Sequence, residues 1–339
     1  MTSAFSNLWL FLSSAQHSLG FSLFDVANIS FGKIWHESCF ITILFSSDDM
    51  KSVKRAVSIL GLCSAFLLSA CNGDDSPKET EQLETKLQPI VIQGALPVES
   101  ERMASKLDNV SVETVGGWKF WKGTYKGYPV IVSKTRMGMS NSAAATALAI
   151  ERYQPIAIIN QGTSGGHDPV LNVFDIVLGK YTTNIGAFRT PRLPIGGGSN
   201  SLAWTEAFDV LPEDESDPEP IAIRKFEGDQ QLLIAAHTAK ASYSKGNVVE
   251  GTIGSADVWN NELDRIQFFH NNYQTSVEEM EAASVAQIAQ QFNVPFLGIR
   301  ILSNNITNNG AYNPATGEAF QDYVLDVVEQ YMKQQLDKN

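Results

Sequence analysis

Cysteine is nearly absent from this chain: three in 339 residues, at positions 39, 63 and 71. Everything beyond Cys71 must therefore fold without a disulfide and without a thiolate metal site. Positive charge is also scarce. Twenty-five Lys and Arg stand against 37 Asp and Glu, giving a formal net charge of −12, and the basic residues form no stripe. That balance argues against a chain built to grip nucleic-acid phosphates. Among five histidines, His167, His237 and His270 stand at no ligand spacing, so they read as structural or surface residues. Neither a metal nor a cofactor is expected. No internal repeat is visible, and no apolar run is long enough to span a bilayer comfortably.

What is present begins with a targeting pattern. Met50 to Arg55 is a basic start, Ala56 to Ala70 is an apolar run of signal-peptide length, and Leu68-Ser-Ala-Cys71 ends it. This resembles a bacterial lipoprotein signal with its lipobox, in which Cys71 is lipid-modified and becomes the first mature residue. A transmembrane anchor is the alternative. Asn72 is not the aspartate that retains such proteins at the inner membrane, so the resemblance implies an outer-membrane anchor facing the periplasm. Residues 1–49 are read as an upstream extension, 50–70 as the signal and 71–88 as a lipid-attached tether. That tether is polar and acidic from Asn72 to Lys86. The folded domain is expected over 89–339.

Within that domain apolar runs alternate with helical patterns. Strands are expected at Pro89–Ala95, Pro155–Asn160, Val173–Lys180, Val248–Ile253 and Pro295–Leu302, with a hairpin of Trp118–Tyr125 and Tyr128–Ser133 around Lys126-Gly127. Helices are expected at Glu99–Leu107, Ser140–Arg152, Gln230–Tyr243 and Glu318–Asp337, and the stretch from Ser276 to Asn304 reads as a helix followed by a buried strand. The alternation implies one α/β domain, a three-layer α/β/α sandwich around a mixed, mainly parallel sheet. In such sheets ligands sit at the carboxyl ends of the strands. The segments after those strands offer Gly94–Glu99, Gly162–Gly166, Gly254–Trp259, Glu279–Glu281 and Arg300–Asn304. Taken singly, each residue has a plain structural reading. Glu99 could serve a helix dipole, Arg300 could pair with a core carboxylate, Thr163 and Ser164 could cap a helix, and Trp259 and Phe320 could be core.

The five segments in register carry more. Glu279-Met-Glu-Ala, then Phe292-Asn-Val-Pro-Phe, then Arg300-x-x-Ser303 resemble the nucleoside phosphorylases and nucleosidases, most closely the 5′-methylthioadenosine/S-adenosylhomocysteine nucleosidases, from about Pro89 to Met332. The resemblance implies that Glu281 holds the ribose hydroxyls with Met280 beneath the sugar, and that Glu99 deprotonates the attacking water, helped by Thr163 and Arg300. It also implies that Trp259 stacks on the base, with backbone amides beside it reading the base edge. Leu96, Met137 and Phe320 would line the pocket for the 5′-substituent, and Val258 and Glu279 fall in the substrate pocket with them. Family members are oligomers, so a homo-oligomer is implied, a dimer in this case. Such chemistry needs a basic carboxylate at the anomeric carbon and a donor where charge builds on the leaving base.

Asn304 departs from this pattern. It stands where the nucleosidases carry an aspartate that protonates purine N7, and an amide cannot do that. It can hydrogen-bond the N6/N7 edge of adenine or donate to the O6 of a 6-oxopurine. Related phosphorylases that prefer inosine and guanosine use asparagine there. No arginine stands on the first glycine loop before Arg102, and Arg136 is the stray alternative for phosphate, so water is favoured as nucleophile. Three readings follow: hydrolysis of a purine nucleoside, its phosphorolysis, or binding by an envelope lipoprotein without turnover.

Overall fold

The computed structural model of the protein describes residues 87–207 and 224–336. The upstream extension, the signal, Cys71 and the tether as far as residue 86 lie outside the described residues.

The strands are β1 (Ile90–Gly94), β2 (Asp108–Val115), β3 (Trp118–Tyr125), β4 (Tyr128–Lys134), β5 (Ala157–Gly166), β6 (Ile176–Asn184), β7 (Phe188–Arg189), β8 (Thr205–Glu206), β9 (Lys225–Glu227), β10 (Val248–Ser255), β11 (Thr275–Glu279) and β12 (Phe296–Asn304). The helices are α1 (Pro97–Ala104), α2 (Met139–Tyr153), α3 (Gln230–Ala239), α4 (Leu263–Tyr273), α5 (Ala282–Gln291), α6 (Thr316–Ala319) and α7 (Gln321–Leu336). The main sheet runs β11-β10-β6-β12-β5-β1-β4-β3-β2, with β9 added to β6. β1 pairs in parallel with β4 and β5, β5 with β12, and β10 with β6 and β11.

Period-two alternation sorts the central strands into two cores. Ile90 and Ile92 of β1 and Ile159 of β5 face one layer, with Met103, Leu232, Val324 and Val328 from α1, α3 and α7. Val91 and Ile158 face the other layer, with Ala149, Val285, Ala286 and Ala289 from α2 and α5. These side chains are buried, and each larger aliphatic one contributes about 1.5–3 kcal/mol through the area it removes from water. The three-layer mixed α/β architecture follows from both faces being apolar. The β3–β4 hairpin turns on Lys126 at φ 50° and Gly127 at φ 82°, the two left-handed positions of a tight hairpin turn.

Two local expectations change. The segment Ser276–Glu279 is the end of strand β11, not the start of a helix, because Thr275 to Glu279 pairs in parallel with β10. The helix begins only at Ala282, after a turn at Met280-Glu281. Gly162–Gly166 is not a loop either. It extends β5, since Gly162, Thr163 and Ser164 pair with β12, and Gly165 and Gly166 pair antiparallel with Glu278 and Val277 of β11. That last pairing closes one end of the sheet upon itself. It brings the ends of β5, β10, β11 and β12 around a single cleft.

Candidate active site

The cleft has a cavity volume of about 170 Å³ and is lined by Ala95, Leu96, Glu99, Met137, Thr163, Gly165, Val258, Trp259, Glu278, Glu279, Met280, Glu281, Ser303, Asn304 and Tyr312, among others. Glu99 sits in the first turn of α1, which opens with Pro97, a residue whose fixed φ suits a helix start. Its carboxylate is held by four donors. Oε2 accepts from the backbone N–H groups of Ala95 and Leu96, each at 3.0 Å, and Oε1 accepts from Thr163 N and Thr163 Oγ1, each at 2.9 Å. Gly162 must be small here, since a Cβ on it would stand 3.1 Å from Glu99 Oε1. The carboxylate is thus fixed in position and turned to the cleft. That is the preorganisation a proton acceptor needs.

Glu281 follows β11 across the cleft. Its Oε1 accepts the Gly138 N–H at 3.0 Å, and its side chain is buried. Burial, with the Glu279 charge next, pushes its carboxyl up to about 8, while Arg300 and the Gly138 amide pull the other way. A carboxyl raised in this way holds its proton more readily than an ordinary one, and so can donate as well as accept. A vicinal diol offers the matching partners.

Arg300 does not take the place expected of it. It is 1% exposed, and all five of its donors are engaged inside the protein. Nε and Nη2 bond Glu279 Oε2, Nη1 bonds the carbonyls of Asn160 and Ile299, and Nη2 also bonds Asn160 Oδ1. No donor remains for a catalytic water. Of the two alternatives open in the sequence, the structure has the buried ion-pair partner. Glu279, expected to bind substrate, is taken up likewise. It accepts from Arg300, from the Glu281 and Ala282 amides and from Ser255 Oγ, and so anchors the start of α5. Breaking such a buried pair from one side typically costs about 3–5 kcal/mol. Its service to the site is indirect, by setting the turn that aims Met280 and Glu281.

Phe320 is also displaced: it is fully buried in the core beside α7 and does not reach the cleft. Tyr312, 60% exposed and not singled out in the sequence, lines the mouth instead. Leu96, Met137, Val258 and Met280 line the cleft as expected, and Trp259 stands 67% exposed at its rim. Asp257 holds that rim to α2 by accepting the Met139 N–H at 2.8 Å.

At the Trp259 end two polar side chains flank Gly165. A Cβ built there would stand 3.7 Å from both Asn304 Nδ2 and Glu278 Cγ. Ser303 Oγ lies 3.1 Å from Asn304 Oδ1 and 3.0 Å from the Ser164 carbonyl. Glu278 Oε1 accepts the Asn260 backbone N–H at 2.9 Å, and Oε2 accepts the Asn260 side-chain amide. Buried His167 puts Nε2 3.1 Å from Glu278 Oε2 and pairs Nδ1 with Thr275 Oγ1 at 2.7 Å. The sequence suggests no role for His167, and in it Glu278 reads as one acidic group among three. Only the closing of β11 on β5 brings Glu278 to the cleft, with His167 buried behind it.

Among the described residues no lysine, arginine or histidine lines the cleft, whereas four glutamates do, Glu279 being paired with Arg300 behind it. Arg102 pairs with Asp322 at 2.6 Å on the surface. Arg136 is exposed and abuts Gly117, where a Cβ would stand 2.8 Å from Nη2. Among the described residues no cluster of His, Cys, Asp and Glu is arranged to hold a metal ion.

Comparison with known proteins is consistent with this geometry. A family model described as the Phosphorylase superfamily matches residues 89–334. The chain is 30% identical over 225 residues to a 5′-methylthioadenosine/S-adenosylhomocysteine nucleosidase of Bacillus cytotoxicus, covering 63% of this chain and 85% of that protein. It is 31% identical over 216 residues to the protein of the same name from Psychromonas ingrahamii, with the same coverage. Among solved structures, the nucleosidase of that name from Colwellia psychrerythraea, in complex with adenine, superposes with a TM-score of 0.57 at 24% identity. That match covers 72% of this chain and 96% of the other. The futalosine hydrolase of Helicobacter pylori superposes with a TM-score of 0.59 at 21% identity, covering 72% and 98%.

Proposed function

The chain belongs to the Phosphorylase superfamily, and on that premise we propose that it is an N-glycosyl hydrolase that cleaves purine nucleosides with water. The observation that carries the choice of nucleophile is the lining of the cleft: among the described residues no lysine, arginine or histidine lines it, and the carboxylate of Glu99 faces it, held by four donors. A phosphate dianion would find no cation there to pair with, whereas neutral water needs none. In the reaction, water adds its oxygen to C1′ as the C1′–N9 bond breaks, and the bonding pair leaves with the purine. Glu99 takes the proton released by the water. The base collects its proton from solvent, because Asn304 can hydrogen-bond the leaving purine but cannot protonate it. Trp259 provides the stacking face, Glu281 the partner for the ribose hydroxyls, and Leu96, Met137 and Tyr312 an apolar wall.

The test is base release from adenosine, methylthioadenosine, inosine and guanosine by the 89–339 domain. Free base and free sugar are expected at equal rates with and without phosphate. Ribose 1-phosphate formed only with phosphate would point to the phosphorylase instead, and no base from any substrate would leave binding without turnover.

The setting proposed for this activity is the cell envelope. The Met50–Cys71 pattern supports a lipid anchor on Cys71, facing the periplasm from the outer membrane, and the family's habit supports a homodimer. No described helix is long and apolar enough to cross a membrane. Fatty-acid labelling of the full chain that survives Cys71→Ser would overturn the anchor.

A further inference from the structure

A second hollow adjoins the nucleoside cleft, and we propose that it is a binding site for an organic carboxylate with a flat apolar body, held by the guanidinium of Arg265. Val258 and Trp259 line both spaces. The second has a cavity volume of about 520 Å³, within the range of small-molecule sites. This site goes beyond the nucleosidase reading and does not rest on it.

Arg265 stands in the first turn of α4, the end of a helix at which the backbone dipole disfavours a cation. It is 4% exposed, yet among the described residues it has no ion-pair partner. Its one hydrogen bond runs from Nη1 to the Ser201 carbonyl at 2.5 Å. The rest of its N–H fork meets no acceptor among the described residues. What surrounds it is aromatic. The guanidinium centre lies 4.3 Å from the Phe269 ring, 4.8 Å from Phe188, 4.9 Å from Phe268 and 5.2 Å from Trp204. These rings attract the charge and offset part of the cost of burying it, but they leave the N–H groups without acceptors. Burial pulls its pKa below the ordinary arginine value, with Tyr273 and Glu262 opposing in part. Arg300, buried as deeply, shows how a structural arginine is satisfied: its donors are all engaged inside the protein.

The lining decides the class of ligand. A planar guanidinium fork matches the oxygens of a carboxylate or a phosphate. Phe188, Trp204, Trp259 and Phe269 give the hollow apolar walls, which suit a flat hydrocarbon body. Ser201, whose carbonyl already holds Nη1, also lines it, and its hydroxyl can donate to a bound anion. Glu262 lines it too, and its charge adds to the cost of bringing an anion in. A singly charged carboxylate meets less of that repulsion than a phosphate dianion, and it gives up less hydration on entering an aromatic enclosure.

The experiment measures binding to the full chain by calorimetry, with phenylacetate, phenylacetamide, acetate and inorganic phosphate as probes. Phenylacetate is expected to bind about tenfold more tightly than phenylacetamide, which keeps the ring and loses the charge. Acetate, which keeps the charge and loses the ring, is expected to be weaker by about tenfold as well, and phosphate to be weaker than phenylacetate. Arg265→Gln is expected to lower phenylacetate affinity about tenfold and to leave phenylacetamide unchanged. Trp204→Ala keeps the cation and removes one wall, so it is expected to weaken both ring-bearing probes several-fold, and it serves where Arg265→Gln does not fold. Equal binding of phenylacetate and phenylacetamide by the wild type, or binding of neither, would overturn the proposal. So would a phenylacetate affinity that neither substitution changes, which would put the ligand elsewhere. Phosphate bound as tightly as phenylacetate would also overturn it, because the aromatic walls would then select nothing. Base release plays no part in these readings, so loss of the nucleosidase assignment would leave them standing.

Discussion

Glu99→Gln is expected to lower kcat for base release by about 10²–10⁴-fold, the contribution of a positioned general base, with KM little changed. The reason lies in the carboxylate's surroundings. Four donors converge on it, from Ala95, Leu96 and Thr163, and they hold it where water must be met. Glutamine keeps the shape but has one acceptor oxygen and one NH2 group, so it cannot satisfy all four. The two donors that face the NH2 lose their partner, at about 1–3 kcal/mol of stability for buried groups. Stability and rate must therefore be measured together. A melting curve close to wild type with a rate loss under tenfold would show that water is activated elsewhere. Glu281 is the nearest alternative, but a carboxyl already pushed up to about 8 and engaged with Gly138 is better suited to a sugar hydroxyl than to a hydrolytic water.

The sheet is legible in the sequence because its strands are buried on both faces and read as continuous apolar runs: Ile90–Ile92, Ala157–Ile159 and Phe296–Ile299. The Lys126-Gly127 turn is equally plain, since two left-handed positions leave little choice of residue. Glu99, Thr163, Glu281, Met280 and Trp259 stand out through their joint order, and all of them reach the cleft. Where the sequence falls short, a tertiary pairing is responsible. Glu279 and Arg300 are 21 residues apart and look like two functional groups, yet they neutralise each other in the core. Phe320 has the right type but lies in the core beside α7 rather than at the cleft. The Thr275–Glu279 strand reads as helix because its five residues carry no apolar alternation beyond Val277. That pattern conceals Glu278, which reaches the cleft only once β11 folds back on β5.

Asn304→Asp is expected to raise cleavage of adenine nucleosides by roughly 10²-fold, the lower end of what a general acid supplies. The substitution keeps the side chain's size and places a carboxyl on the purine's leaving edge. Asn304 is half-buried across Gly165 from Glu278, so a carboxyl there is disfavoured as an anion, and it tends to hold the proton that the departing base needs. One effect opposes the gain: the introduced carboxyl lacks the amide N–H that Asn304 offers to O6, so guanosine should profit less than adenosine. Measured kcat/KM for adenosine and guanosine in the wild type and in Asn304→Asp decides it, and no gain for adenosine would mean that proton delivery to the purine does not limit the reaction.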